Sequence, residues 1–244
     1  MIIEKLFSLK GKVAIVTGSA RGNGRSISES LSLAGAHVVG LDLEEAEPDS
    51  FDQQICDITD PKNVDLTLDY ISSNYERVDI LVNNAGVSYP HSFLDYPDEL
   101  WEKTYRVNLK APFELIKKVS PLMTEGGSIV NITSLNAELA FPDNPAYVSF
   151  KGALRQLTKS AALDLGRYGI RVNSVGPGYF KTEMTRTSWE NPVKHEQRKN
   201  KTILDRWGVP EDLAGVLIFL TSPSSSYITG QDIYVDGGWS IKGL

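Results

Sequence analysis

Cysteine is nearly absent: Cys56 is the only one in 244 residues. A lone thiol has no partner for an intrachain disulfide and no neighbouring ligand set, which excludes a disulfide scaffold and a zinc cluster. Histidine is scarce too. His37, His91 and His195 stand far apart without the spacing of ligand or triad motifs, so they read as structural or surface residues and no metal is expected. Nowhere does the chain reach the ~20 apolar residues of a membrane span, and MIIEKLFSLKGK lacks the apolar core and cleavage site of a secretory leader. A cytoplasmic protein with no membrane partner is expected. A basic excess is also missing. With 25 Lys and Arg against 31 Asp and Glu the formal charge is -6, which argues against nucleic acid as a partner and for a small molecule.

What the chain does have is alternation. Short β-branched runs, VAIVT (13–17), HVVGLD (37–42), DILVNN (79–84), GSIVNIT (127–133), IRVNSVG (170–176) and QDIYVDG (231–237), are separated by longer stretches of helical apolar spacing. This predicts βαβ units in an α/β fold, with a parallel sheet covered on both faces. No repeat, low-complexity tract or composition shift marks a boundary, so one domain is expected over 1–244. Residues 179–213 carry no sheet-like run and follow the strand at 170–176, where open α/β sheets bind ligands. They are expected to form a substrate lid.

The first strand runs into TGSARGNG, with Gly18, Gly22 and Gly24 in the pattern T-G-x-x-x-G-x-G, and then into a stretch with Ile27, Leu31 and Ala34 on helical spacing. A loop at a helix N-terminus offers unpaired N–H groups and a positive dipole end to a pyrophosphate, and glycines let the backbone come close. The second strand ends in Asp42, 18 residues past Gly24, near the ~20 expected for a carboxylate that accepts from ribose hydroxyls. Arg21 could pair with a 2'-phosphate. A carboxylate would repel that phosphate, whereas an idle arginine swings to solvent at little cost, so NAD is expected over NADP.

Among 10 tyrosines, Tyr147 has a lysine four residues on, Lys151, and Ser134 lies 13 residues upstream at the end of a strand. Together with the glycine loop, NNAG (83–86), Asn108 in YRVNL, PGYFKT (177–182) and GQDIYVDGG (230–238), these motifs run in register nearly end to end. The chain resembles the short-chain dehydrogenase/reductases in their ordinary single-domain form. That resemblance implies a Rossmann-like doubly wound sheet and a catalytic group of Asn108, Ser134, Tyr147 and Lys151. It also puts Leu43 next to Asp42 in the cofactor site, with Arg21 and Asn23 in the phosphate loop. Asp57 and Ile58 fall beside the adenine, Asn84, Ala85 and Gly86 along the ribose, and Pro177, Gly178, Phe180 and Thr182 around the nicotinamide. Substrate contacts fall to Ser134, Asn136, Tyr147 and Tyr179. A homotetramer is implied, with the Tyr147 helix at a subunit contact.

Elementary chemistry fits these roles. Residues i and i+4 share a helix face, so Tyr147 and Lys151 can meet one ligand. Lowering a phenol by ~3 pKa units takes ~4 kcal/mol, which one ammonium ~4 Å away supplies at an effective dielectric of about 20, with the positive nicotinamide ring of NAD+ adding to it. Tyr147 is therefore expected to ionise readily and exchange a proton with an alcohol, while Ser134 donates to the substrate oxygen. Lys151 would also hold the nicotinamide ribose, and Asn108, as in the family, a water behind it. Asn23 stands where relatives carry an aliphatic residue, and Phe150 where they carry a small one.

The segments PGYFKTEM and LDRWGVPEDL most resemble members acting on polyols, sugars and sugar acids, such as gluconate 5-dehydrogenases. Residues 181–201 hold six Lys or Arg against Glu183, Glu190 and Glu196, which suits a carboxylate-bearing substrate and equally a solvated helix face. Two other readings stand beside an alcohol dehydrogenase: a 3-oxoacyl thioester reductase, which Asp42 disfavours, and a dinucleotide sensor without catalysis.

Overall fold

The computed structural model describes residues 2–46 and 50–242. Seven strands form one sheet: β1 (Val13–Thr17), β2 (His37–Asp42), β3 (Asp52–Ile55), β4 (Ile80–Asn83), β5 (Gly127–Ile132), β6 (Ile170–Pro177) and β7 (Asp232–Val235). Their order is β3-β2-β1-β4-β5-β6-β7, and every pairing is parallel. Each apolar run of the sequence is a strand, with ends shifted by two residues at most. β3 was not expected. Its sequence, DQQI, is polar because it pairs on one side only, with β2, at the sheet edge where no residue is fully buried.

Alternation along β1 divides the core. Ala14 and Val16 face one side with Ile27 and Leu31 of α2 (Gly22–Leu33), and Ile15 faces the other with Leu68 and Ile71 of α3 (Pro61–Asn74). Helices α5 (Ala111–Val119) and α6 (Pro145–Leu165) complete the second layer with α4 (Asp98–Tyr105) against α6, α9 (Ala214–Thr221) joins the first, and the short α1 (Ile2–Phe7) precedes β1 without a buried residue. Strands enclosed on both faces must be apolar throughout, which is why all five β1 residues are buried.

One polar chain crosses this apolar interior. The Asn83 amide donates to Asn131 Oδ1 (2.8 Å), the Asn131 amide to Thr158 Oγ1 (2.9 Å), and Thr158 to the Leu154 carbonyl (2.9 Å). β4, β5 and α6 are thereby linked by side chains as well as by packing.

The strand order reverses between β1 and β4, so their C-terminal ends open a crevice there. Past β6, residues 179–213 form short helices, α7 (Arg186–Trp189) and α8 (Pro192–Lys199), pinned at the base where Phe180 bridges Gly208.

Candidate active site

The glycine loop follows β1 into this crevice. Gly18 and Gly22 take positive φ (+69° and +55°), which a side chain rarely adopts, and α2 begins at Gly22. A Cβ on Gly24 would overlap the Gly18 carbonyl and come within 2.5 Å of Asn84 Nδ2. Arg21, at the helix N-cap, makes no capping bond, so its side chain satisfies none of the N–H groups of the first turn. Such a turn suits a pyrophosphate. Asn23 enters this turn with a buried, unpartnered Oδ1.

Beyond β4, the Asn84 amide donates to the carbonyls of Thr17 (2.9 Å) and Gly18 (3.1 Å), and the Thr17 hydroxyl accepts from the N–H groups of Asn84 and Ala85. The Asn84 side chain thus braces the glycine loop. Asp42 ends β2 and accepts from the Ala20 N–H (2.9 Å) and the Glu44 N–H (3.1 Å), which fixes its carboxylate beside the loop. Arg21 is not idle. It pairs with Glu44 at 2.6 Å, at an exposed site worth little stability but enough to occupy the guanidinium. Leu43 is exposed; Asp57 accepts from the Thr59 N–H and hydroxyl, and Ile58 packs against the core.

The chemical group assembles at the ends of β4 and β5. Ser134 caps the short turn Leu135–Ala137, accepting from the Asn136 N–H (3.1 Å) while its hydroxyl lies 3.2 Å from Asn136 Oδ1. It also lies near enough to the Tyr147 phenol to favour its ionised form. One hydroxyl proton cannot serve both acceptors at once, so Ser134 can turn from Asn136 to the phenol oxygen. One turn along α6, Lys151 is buried, donates to the Ile132 carbonyl at 2.7 Å and lies 5.6 Å from the centre of the Tyr147 ring. Asn108 sits in a π-turn, Arg106–Lys110, a geometry frequent at functional sites. It holds Val87 on both sides, accepting from its N–H and donating to its carbonyl, both at 2.8 Å. A Cβ on Gly86 would lie 3.5 Å from Asn108 Oδ1 and 3.6 Å from Lys151 Nζ, so the three meet at one point.

The ionisation of this pair runs against the sequence expectation. Burial pushes the Tyr147 phenol up, opposed by the Ser134 hydroxyl and reinforced by Tyr179 nearby. Burial also lowers the Lys151 ammonium to about 8. The lowering expected with the dinucleotide bound is thus not present in the chain alone. Both groups lose water on entering the interior, and in the chain alone the ammonium does not outweigh that loss.

Pro177 ends β6 and is buried; beyond it Gly178 donates to the Val235 carbonyl (2.9 Å), and the Phe180 side chain belongs to the core. Thr182 places its methyl 3.6 Å from the Cβ position of Gly22, so this segment reaches the glycine loop. Tyr179 lies in an aromatic group that sequence reasoning missed. It stacks on Trp239 (5.0 Å between centroids, 27°) and meets Trp207 and Phe141 edge-on at 5.6 and 6.0 Å. Phe150 packs within the chain against Trp101 (4.8 Å) and Tyr105 (5.6 Å). Among the described residues no cluster of His, Cys, Asp or Glu could hold a metal, and no helix is long and apolar enough to cross a membrane.

Residues 18–240 match a family model described as enoyl-(acyl carrier protein) reductase. The chain belongs to the short-chain dehydrogenase/reductase family. A short-chain relative, the NAD-dependent glycerol dehydrogenase of Listeria innocua, is 35% identical over 98% of both chains. The 3-oxoacyl-(acyl-carrier-protein) reductase of Thermotoga maritima is also 35% identical, over 96% of this chain and 99% of its own. Among solved structures, a gluconate 5-dehydrogenase from Burkholderia cenocepacia in complex with NADP and tartrate superposes with a TM-score of 0.93 at 33% identity, over 98% of each chain. As a short-chain dehydrogenase/reductase the chain is an oxidoreductase of alcohol and ketone groups that uses a nicotinamide dinucleotide.

Proposed function

We propose that the chain interconverts a secondary alcohol and a ketone on a polyol, sugar or sugar acid with NAD, within a single catalytic domain whose 179–213 segment covers the substrate. The convergence of Ser134, Tyr147 and Lys151 at the C-terminal edge of the sheet carries this reading. The glycine cradle and uncapped first turn of α2 fit a pyrophosphate, Asp42 fits ribose hydroxyls, and Lys151 fits the second ribose. The dinucleotide supplies the hydride acceptor or donor. Tyr147 moves the hydroxyl proton, and its raised phenol is ready to protonate a nascent alkoxide in the reducing direction. Ser134 donates to the substrate oxygen, a bond that strengthens as negative charge develops there. Asn108 holds the Val87 backbone and so shapes the wall behind Lys151.

Preference for NAD rests on Asp42 and on the Arg21–Glu44 pair, which draws the loop's guanidinium toward a carboxylate. Asp42→Ser is expected to raise kcat/KM with NADP relative to NAD by about tenfold, from relief of like-charge repulsion. An unchanged ratio in paired steady-state assays would overturn the assignment. A screen of polyols, aldonates and an acetoacetyl thioester, followed by reduced-nicotinamide absorbance, tests the substrate class. Turnover of the thioester alone would favour the acyl reductase reading.

The homotetramer is part of the same proposal. Phe113 on α5 and Leu163 on α6 are 44% and 84% exposed, with Tyr168 just beyond, an apolar face suited to a second copy. Light scattering is expected to return four chain masses, and a single mass would refute assembly.

A further inference from the structure

Among the described residues of the lid, Lys181, Lys194 and Lys201 have no carboxylate partner and stand exposed, whereas Arg198 has none and is half-buried. Arg186 pairs with Glu183 (3.1 Å) and Glu190 (3.0 Å), Lys199 with Glu196 (3.5 Å) and Asp205 (3.8 Å), and Arg206 with Asp212 (2.6 Å). Arg198, on the last turn of α8, has no carboxylate and no hydrogen-bond acceptor among the described residues, and its Nε is buried. Its guanidinium instead lies 4.3 Å from the centre of the Tyr179 ring. Tyr179 is itself held from another side by Trp239 and stands two residues past β6, whose neighbour β5 leads into Ser134.

A half-buried guanidinium without acceptors has lost water and gained only a ring face in return, which leaves its N–H fork open to an anion. Such a fork matches a carboxylate in two parallel hydrogen bonds, and the ring beneath restricts its motion, so little ordering remains to be done on binding. Ser134 and Tyr147 address only the reacting carbon's oxygen and are blind to charge elsewhere on the substrate. Discrimination between a neutral polyol and a sugar acid therefore needs another group on the wall of the same site.

We infer that Arg198, seated on Tyr179, binds the carboxylate of a sugar-acid substrate whose reacting carbon lies against Ser134 and Tyr147. The inference rests on the alcohol dehydrogenase reading and narrows its substrate to acids. The same excess of positive charge on 181–201 would attract the anion, but this one side chain reads it.

The test compares D-gluconate with glucitol, a neutral polyol of the same length, in the wild type, Arg198→Met and Arg198→Lys. The ratio of kcat/KM for gluconate to that for glucitol is expected to fall about 100-fold in Arg198→Met, mainly through KM. Arg198→Lys is expected to recover part of it, since a point charge remains without the fork. Equal losses on both compounds would mean a purely structural lid residue, and an unchanged ratio would mean an idle arginine; either overturns the inference. If the wild type oxidises neither compound, the functional reading has failed, and calorimetric titration of gluconate into the NADH-loaded protein decides the anchor separately. Binding lost in Arg198→Met then supports it, and absent binding to the wild type overturns it.

Discussion

Tyr147→Phe is expected to lower turnover by about 1,000-fold, the middle of the range for loss of a positioned acid or base, while NADH binding followed by fluorescence stays within a few fold. Only the phenol oxygen is removed. Ser134 keeps an acceptor in Asn136 Oδ1 at 3.2 Å, so no buried donor is orphaned. The ring keeps its position over Lys151, whose ammonium remains bonded to the Ile132 carbonyl. A loss confined to the chemical step follows. Retained turnover would refute the proton-transfer role and revive the sensor reading, and a matching fall in melting temperature would show that the variant acts through the fold.

Gly24→Ala is expected to abolish dinucleotide binding and to destabilise the chain by about 3 kcal/mol, the upper part of the usual range for overpacking. The added methyl would meet the Gly18 carbonyl, and backbone facing backbone has no side chain to turn aside. Relief requires the start of α2 to retreat from the end of β1, which moves the N–H groups the pyrophosphate needs. Gly152→Ala provides the control. It lies inside α6 with nothing within 4 Å of its Cβ position, so the same chemical change should leave binding intact and stabilise the helix by about 0.5–1 kcal/mol. If thermal melts and NADH titrations make the two variants behave alike, the cradle has been misread.

The contrast between those two glycines also marks what was legible in the chain. Apolar strands announce themselves because a strand buried on both faces tolerates little else, and six of seven were readable for that reason. The edge strand DQQI was not, since one open side removes the selection for apolar residues. Site residues carried on local spacing, Gly18 through Gly24 and Tyr147 with Lys151, were legible because helix and turn geometry bring them together within a few residues. The direction of the Tyr147 shift was not. Counting nearby charges is a local exercise, whereas loss of water depends on segments far away in sequence. For the same reason the Arg21–Glu44 pair and the ring group of Phe141, Tyr179, Trp207 and Trp239 escaped detection, being joined only by folding.

The amide chain from Asn83 through Asn131 to Thr158 carries a consequence for accuracy of placement. Hydrocarbon contacts tolerate sliding, because one methyl serves nearly as well as the next, but a helix displaced by a single turn, about 5.4 Å, would carry Thr158 away and leave the enclosed Asn131 amide without its acceptor. That error is costly enough to leave a single alignment of α6 on its sheet. The hydroxyl that handles the proton is thus indexed to its position from some three turns away, by residues that never touch a ligand.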